Sequence, residues 1–237
     1  ILHADETPVA QLDPGAGKTK RAYLFAWRSA HTEPIVVFDY CPSRAGKHAQ
    51  AFLGEWKGAL MVDDYVGYKA LFATGITELA CWAHARRVFF DAHKASASPL
   101  AEEALRRMGE FYAIAATLRG LDDATRSIER KHRLGAWLAV FKHWLDAAQA
   151  QTLGNSGVRK AIEYTQRRWP ALARVIEDDA YPIDNNPIEN AIRPVALGKK
   201  NWLFAGSETA GRRAAAIMSL LATAKLNGLD PAAWLRE

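Results

Sequence analysis

Cysteine is scarce in this sequence. There are two, Cys41 and Cys81, among 237 residues, and they form no CxxC pair. That argues against a cysteine-built zinc site and makes a reducing cytoplasm the default compartment. Long apolar runs are missing too: none approaches the ~20 residues a membrane span needs. The opening ILHADETPV has no basic stretch ahead of an apolar one, so it is not a secretory signal. It enters a strand-like pattern at once, with no initiator Met, as a piece of a longer protein would. Internal repeats and low-complexity segments are also absent. What is present is ordinary for a globular chain: 49% hydrophobic and 24% charged residues, with eight Trp available for a core. The net charge of +5 suits a polyanionic partner without proving one.

The first third alternates strands and turns. LHADETPVAQL has β-compatible apolar residues, and DPGAGK is turn chemistry. RAYLFAWRS places Tyr23, Phe25 and Trp27 on one face at period two. EPIVVFDY is a continuous apolar run of the kind found in buried strands. The three are expected to form an antiparallel meander. A helix is predicted from Arg44 to Trp56 with Ser43 as N-cap. GALMVDDY and TELACWAH supply two more strands, and ARRVFFDAHK a further helix. Three strands, helix, strand, short turn, strand, helix is the order of a ribonuclease-H-like α/β fold with a mixed five-stranded sheet flanked by helices.

Between about 99 and 180 the period becomes helical, as in Ala104, Met108, Phe111 and Ala115, then Leu134, Trp137, Leu138 and Phe141. Such Trp and Leu stripes predict core and not a cofactor box. The expected organisation is residues 1–98 as the first part of the core, 99–180 as an all-helical insertion, and 181–237 as C-terminal helices. Asn227-Gly228 ends a long helix, and Asp230-Pro231 opens a short last one.

Three acidic positions stand out: Asp5 in HADET, Asp63 in VDDYVGY and Glu189 in DNNPIEN. A carboxylate within an apolar strand is unfavourable unless it has a task. In-line displacement at a phosphodiester uses two metal ions ~3.5–4 Å apart, and magnesium prefers hard oxygen ligands. Carboxylates from two strands and a helix can converge on such a pair. Bland alternatives stand beside this. Glu189 falls at the capping-box position if Asn186 is N-cap and Pro187 the first helical residue. Asp5 could form a structural ion pair, and Asp63 or Asp64 an Asx-turn before Tyr65.

Longer motifs carry a resemblance. LHADETPV, KTKRAYLFAW, MVDDYVGY, ELACWAHARRVFFDA and above all PIDNNPIENAIRPVALGKKNWLFAGSETAGRR resemble the transposases of the insertion sequence 66 family, over essentially the whole chain. The resemblance implies a ribonuclease-H-like core with a DDE site, in which Asp5, Asp63 and Glu189 match the three carboxylates. It implies Mg2+, replaceable by Mn2+ and as two ions, as cofactor. The implied activity is DNA cleavage at transposon ends with strand transfer into target DNA. The alternatives are a ribonuclease-H-like nuclease or resolvase that does not join, and an inactive DNA-binding relative. Implied partners are transposon-end and target DNA, a second copy in a synaptic complex, and accessory proteins of the same element, with no membrane; the implied location is the cytoplasm, on the nucleoid when DNA is bound. The family's usual Asp-Gly-Tyr is Asp63-Asp64-Tyr65 here. Asp63 is therefore the expected ligand, and Asp64 is expected to close the strand by bonding to its own main chain. The family's N-terminal DNA-binding region lies outside these residues.

DNA-contacting candidates surround these acids. His84, Arg86 and Arg87 open a helix after the fifth strand, and Arg193 lies one turn beyond Glu189. Lys199, Lys200, Asn201 and Trp202 combine charge with an aromatic. Against these stand a structural His84 with solvated arginines, and a surface turn whose Trp202 packs on the core. Lys18, Lys20 and Arg21 read as an ordinary basic hairpin.

Overall fold

The structure, a computed structural model, describes residues 1–30, 33–234 and 236. Its contacts divide the chain into two units, one of residues 1–78 with 185–237, the other of residues 79–184.

The first unit is built on a sheet. β1 (Leu2–Asp13) and β2 (Lys18–Ser29) form a long antiparallel hairpin, and β3 (Val36–Cys41) continues the meander. β4 (Ala59–Val62) runs parallel to β1, and β5 (Thr77–Ala80) gives the order β3-β2-β1-β4-β5. This is the mixed five-stranded, helix-flanked α/β sheet expected from the sequence, consistent with a ribonuclease-H-like core. Period-two alternation gives each side its own apolar cluster. Tyr23, Phe25, Trp27, Leu60 and Val62 pack with Ala49 and Leu53 of α1 (Lys47–Leu53) and with Tyr68. Val9, Ala22, Leu24, Ala26, Phe38 and Tyr40 pack on the other side. There they meet Ile188, Ile192 and Val195 of α8 (Asn186–Trp202) and Ala215 of α9 (Glu208–Leu226). The first helix is shorter than its pattern predicts. Gly46 is its N-cap, because the Ser43 hydroxyl is bonded to the His48 ring (2.9 Å). A short helical turn, Val66–Tyr68, leads into α2 (Lys69–Phe72). α10 (Pro231–Trp234) follows Asn227 and Gly228 as expected.

The second unit holds α3 (Trp82–Ser96), α4 (Pro99–Leu118), α5 (Asp123–Glu129), α6 (Gly135–Ala150) and α7 (Gly157–Ala173). No strand lies between 99 and 180 among the described residues. Its core is aromatic. Trp82 lies against Phe111 (4.7 Å between centroids) and Trp137 (5.4 Å), and its indole donates to the Leu172 carbonyl (3.2 Å). α3 shares this core, so it groups with the helices after it and not with residues 1–78. The half-buried Arg130 guanidinium donates to the carbonyls of Val175 (2.7 Å), Asp179 (2.8 Å) and Tyr181.

α9 lies along β3, and two of its hydroxyls serve the strand. The Val36 amide donates to Thr223 Oγ1 (3.0 Å) and the Phe38 amide to Ser219 Oγ (2.8 Å). An amide left without an acceptor in a partly covered place costs about 1 kcal/mol or more. The double variant Ser219→Ala/Thr223→Val should therefore lose about 2 kcal/mol in urea unfolding. An unchanged midpoint would show that water serves these amides equally well.

Candidate active site on one face of the sheet

The site begins with alternation along β1. His3, Asp5, Thr7, Val9 and Gln11 share the face covered by α8; His3, Thr7, Val9 and Gln11 are buried. Polar residues at four inward positions of a strand need partners. Gln11 accepts from the Tyr40 hydroxyl (2.9 Å), Thr7 from Lys199 (3.0 Å), and His3 Nδ1 is bonded to Asn185 Oδ1 (2.9 Å).

Asp63 reaches the same face through strand register. β1 and β4 pair as Leu2↔Leu60 and His3↔Met61. Two residues further, Asp5 is level with Asp63, just beyond the end of β4. Carried past the end of β4, alternation puts Asp63 on the side of His3 and Met61 and Asp64 on the other. The bonding of the pair differs from expectation. Asp63 Oδ1 accepts the Tyr65 amide (2.9 Å), so of the two residues to which the bland alternative gave an Asx-turn it is Asp63 that makes it, where Asp64 was expected to bond to its own main chain. Asp64 instead pairs with Lys69 (3.4 Å), which also holds Glu78 (2.9 Å).

Glu189 arrives on α8, whose N-cap is Asn185 and not Asn186. Glu189 is then the fourth helical residue, one past the capping-box position that the bland alternative gave it. The reason is that the buried Asn185 side chain faces β1: its Oδ1 meets His3 and its Nδ2 donates to the Ala4 carbonyl (2.9 Å). These two bonds pin the first turn of α8 beside Asp5.

Electrostatics reflect this crowding. Burial first, then the charges of Glu6, Asp63 and Glu189, push the Asp5 carboxyl up to about 7, against a bond from the Glu6 amide (2.8 Å). Burial pulls His3 down to about 4, so its ring is neutral at pH 7. The three expected carboxylates do not close to within 4.8 Å of one another. They form a looser, open group in which the charges of Asp63 and Glu189 both act on Asp5. An open group still suits a pair of ions ~3.5–4 Å apart, whose ligands need not all touch. The hard oxygen donors match magnesium.

Arg193 and Lys200 of α8 are exposed. The Lys199 amine donates to Thr7 and to the Pro8 carbonyl (2.8 Å), so it ties α8 to β1. Trp202 is half-buried against the cluster beneath α8, as the bland alternative had it. His84, Arg86 and Arg87 lie in the first turns of α3, in the helical unit; the arginines are exposed and His84 half-buried. Sequence patterns missed Asn185, His3 and Glu6. The available signal was the period-two polar series on β1, which marks a strand face with partners to find.

The chain matches the family model described as Transposase IS66 family over residues 1–213. Among curated proteins it is 36% identical to the uncharacterized protein y4qI of Sinorhizobium fredii, over 100% of this chain and 46% of that protein. It is 33% identical to the uncharacterized protein y4jD of the same organism, over 100% of this chain and 49% of that one. The chain thus spans about half the length of the curated relatives it matches. No described helix is long and apolar enough to cross a membrane. By the extent of these matches, this chain belongs to the IS66 family of transposases.

Proposed function

We propose that the chain is the metal-dependent catalytic core of a DNA transposase that cuts at element ends and joins the freed 3′ ends to target DNA. The observation that supports this reading most is that the charges of Asp63 and Glu189 both act on the Asp5 carboxyl. β1–β4 register levels Asp5 with Asp63, and Asn185 anchors the helix that bears Glu189. Family membership supports the reaction class.

Each residue has a role in this proposal. Asp5, Asp63 and Glu189 hold the metal. When bound, paired magnesium ions supply activation of the attacking hydroxyl and charge stabilisation at the leaving oxygen. Neutral His3 and Asn185 orient the strand and helix that carry Asp5 and Glu189. Arg193 and Lys200, exposed on the same helix as Glu189, contact phosphates of the bound strand. Arg86 and Arg87 offer further phosphate contacts, and transposition brings in a second copy and accessory proteins as partners.

Two assays test the reaction: Mn2+-dependent nicking of supercoiled plasmid, and joining of a duplex with a free 3′-hydroxyl into that plasmid. Asp5→Asn should remove both by at least about a hundredfold, more than the loss of an outer-shell metal contact gives. Its melting temperature in metal-free buffer should be no lower than the parent's, because one of several repelling charges is gone. Full activity in Asp5→Asn would end the proposal, and nicking without joining under every condition would point to a nuclease.

Asp63 and Asp64 make an internal control. Asp63→Asn should abolish nicking, whereas Asp64→Gly should retain most of it; the reverse would place the ligand one residue later.

DNA contacts separate from scaffold by salt dependence. Arg193→Ala and Lys200→Ala should each flatten the slope of log K against log salt by about one unit. Lys199→Met should instead lower the melting temperature, since it unties α8 from Thr7 and Pro8. Unchanged slopes for Arg193→Ala and Lys200→Ala would remove this helix from the DNA interface.

A further inference from the structure

Asp5 and Glu6 are neighbours on β1 and face opposite sides of the sheet. The Glu6 side chain is 1% exposed. Its Oε2 accepts from the Tyr68 hydroxyl (2.6 Å), and its Oε1 takes Arg44 Nε (2.7 Å) and Nη2. A carboxylate buried this deeply is costly without such partners, and an apolar residue would fill the place with equal or better stability. What an ion pair adds is direction.

The direction leads to Asp63. The Arg44 guanidinium lies over the Tyr65 ring, 3.7 Å from its centroid, and the Tyr65 hydroxyl donates to the Arg44 carbonyl. The Tyr65 amide in turn holds Asp63 Oδ1 (2.9 Å). Tyr68 closes the loop from the other side, edge-on to Tyr65 (5.6 Å). Two glycines allow the segments to meet this closely. A Cβ on Gly46 would stand 2.2 Å from the Gly67 carbonyl oxygen, and one on Gly67 2.3 Å from the Tyr65 ring. The segments after β3 and after β4 are therefore locked together, with Glu6 at the root of the lock.

We propose that Glu6 is a positioning residue: with Arg44, Tyr65 and Tyr68 it forms a clamp on the reverse face of the sheet that holds the Asp63 turn level with Asp5. The proposal rests on Asp5 and Asp63 being metal ligands. The clamp reaches both of them, through the Glu6 amide bonded to Asp5 Oδ1 (2.8 Å) and through Tyr65 to Asp63. It thereby sets the spacing of two ligands without touching the metal or the DNA.

Calorimetric titration with Mn2+ alone tests this, with thermal melts to establish folding. Glu6→Gln keeps the shape and removes the charge pairing; it should bind Mn2+ about tenfold more weakly. Tyr65→Phe deletes only the hydroxyl bond to the Arg44 carbonyl, leaves the ring in place and keeps the test open if Glu6→Gln fails to fold. It should weaken binding by about threefold, below the usual range for outer-shell losses. Asp5→Asn is the reference and should lose binding. If Asp5→Asn loses Mn2+ while the folded clamp variants stay within about twofold of the parent, the clamp inference is overturned and the metal site stands. If Asp5→Asn binds Mn2+ like the parent, the site reading itself fails and takes the clamp with it.

Discussion

Two hydrogen bonds from one amide side chain decide where the third carboxylate goes. Asn185 is the first residue of the chain's return to the sheet unit, and it is buried against His3 and the Ala4 carbonyl. An Asn offers one acceptor and two donors on a short stem, so both partners can be met only if the helix starts at one place and one angle. Ile188, Ile192 and Val195 then follow into the apolar cluster, and Lys199 fixes the far end of the helix to Thr7 and Pro8. Replacing the amide with a hydrophobic group would leave the neutral His3 ring and a strand carbonyl without these partners in a buried place. The helix is thus located by polar contacts at both ends and held by apolar ones between.

Much of this was legible in the sequence, and the reason is periodicity. Tyr23, Phe25 and Trp27 declare a face at period two, and the structure gives them one. Met108, Phe111, Trp137 and Phe141 declare helical core, and they share one buried cluster with Trp82. Helix starts were less legible where a cap residue has a long-range competitor. Ser43 turns to His48, and Asn185 to β1, so both helix starts differ from the local rule. Glu189 accordingly falls one residue past the capping-box position.

The site was legible in its acids and not in their surroundings. Asp63 needs the parallel register with β1, a contact between residues about sixty apart in sequence, before its face is known. Glu6 was hidden by its neighbour: HADET carries two acids, and alternation sends one to each side of the sheet. The one on the far side was illegible because its partners Arg44 and Tyr68 come from segments that no local pattern links to β1. Lys199 shows the converse, a basic residue in a basic motif whose amine serves the scaffold.

The hydroxyls of Ser219 and Thr223 also bear on assembly. β3 ends the sheet, and a terminal strand with open amides is a template on which another chain can add a strand. Here the Val36 and Phe38 amides are taken by side chains of a helix that lies over them. Strand addition at these two positions of the margin is therefore blocked from within the chain. An edge covered in this way is a poorer template for aggregation.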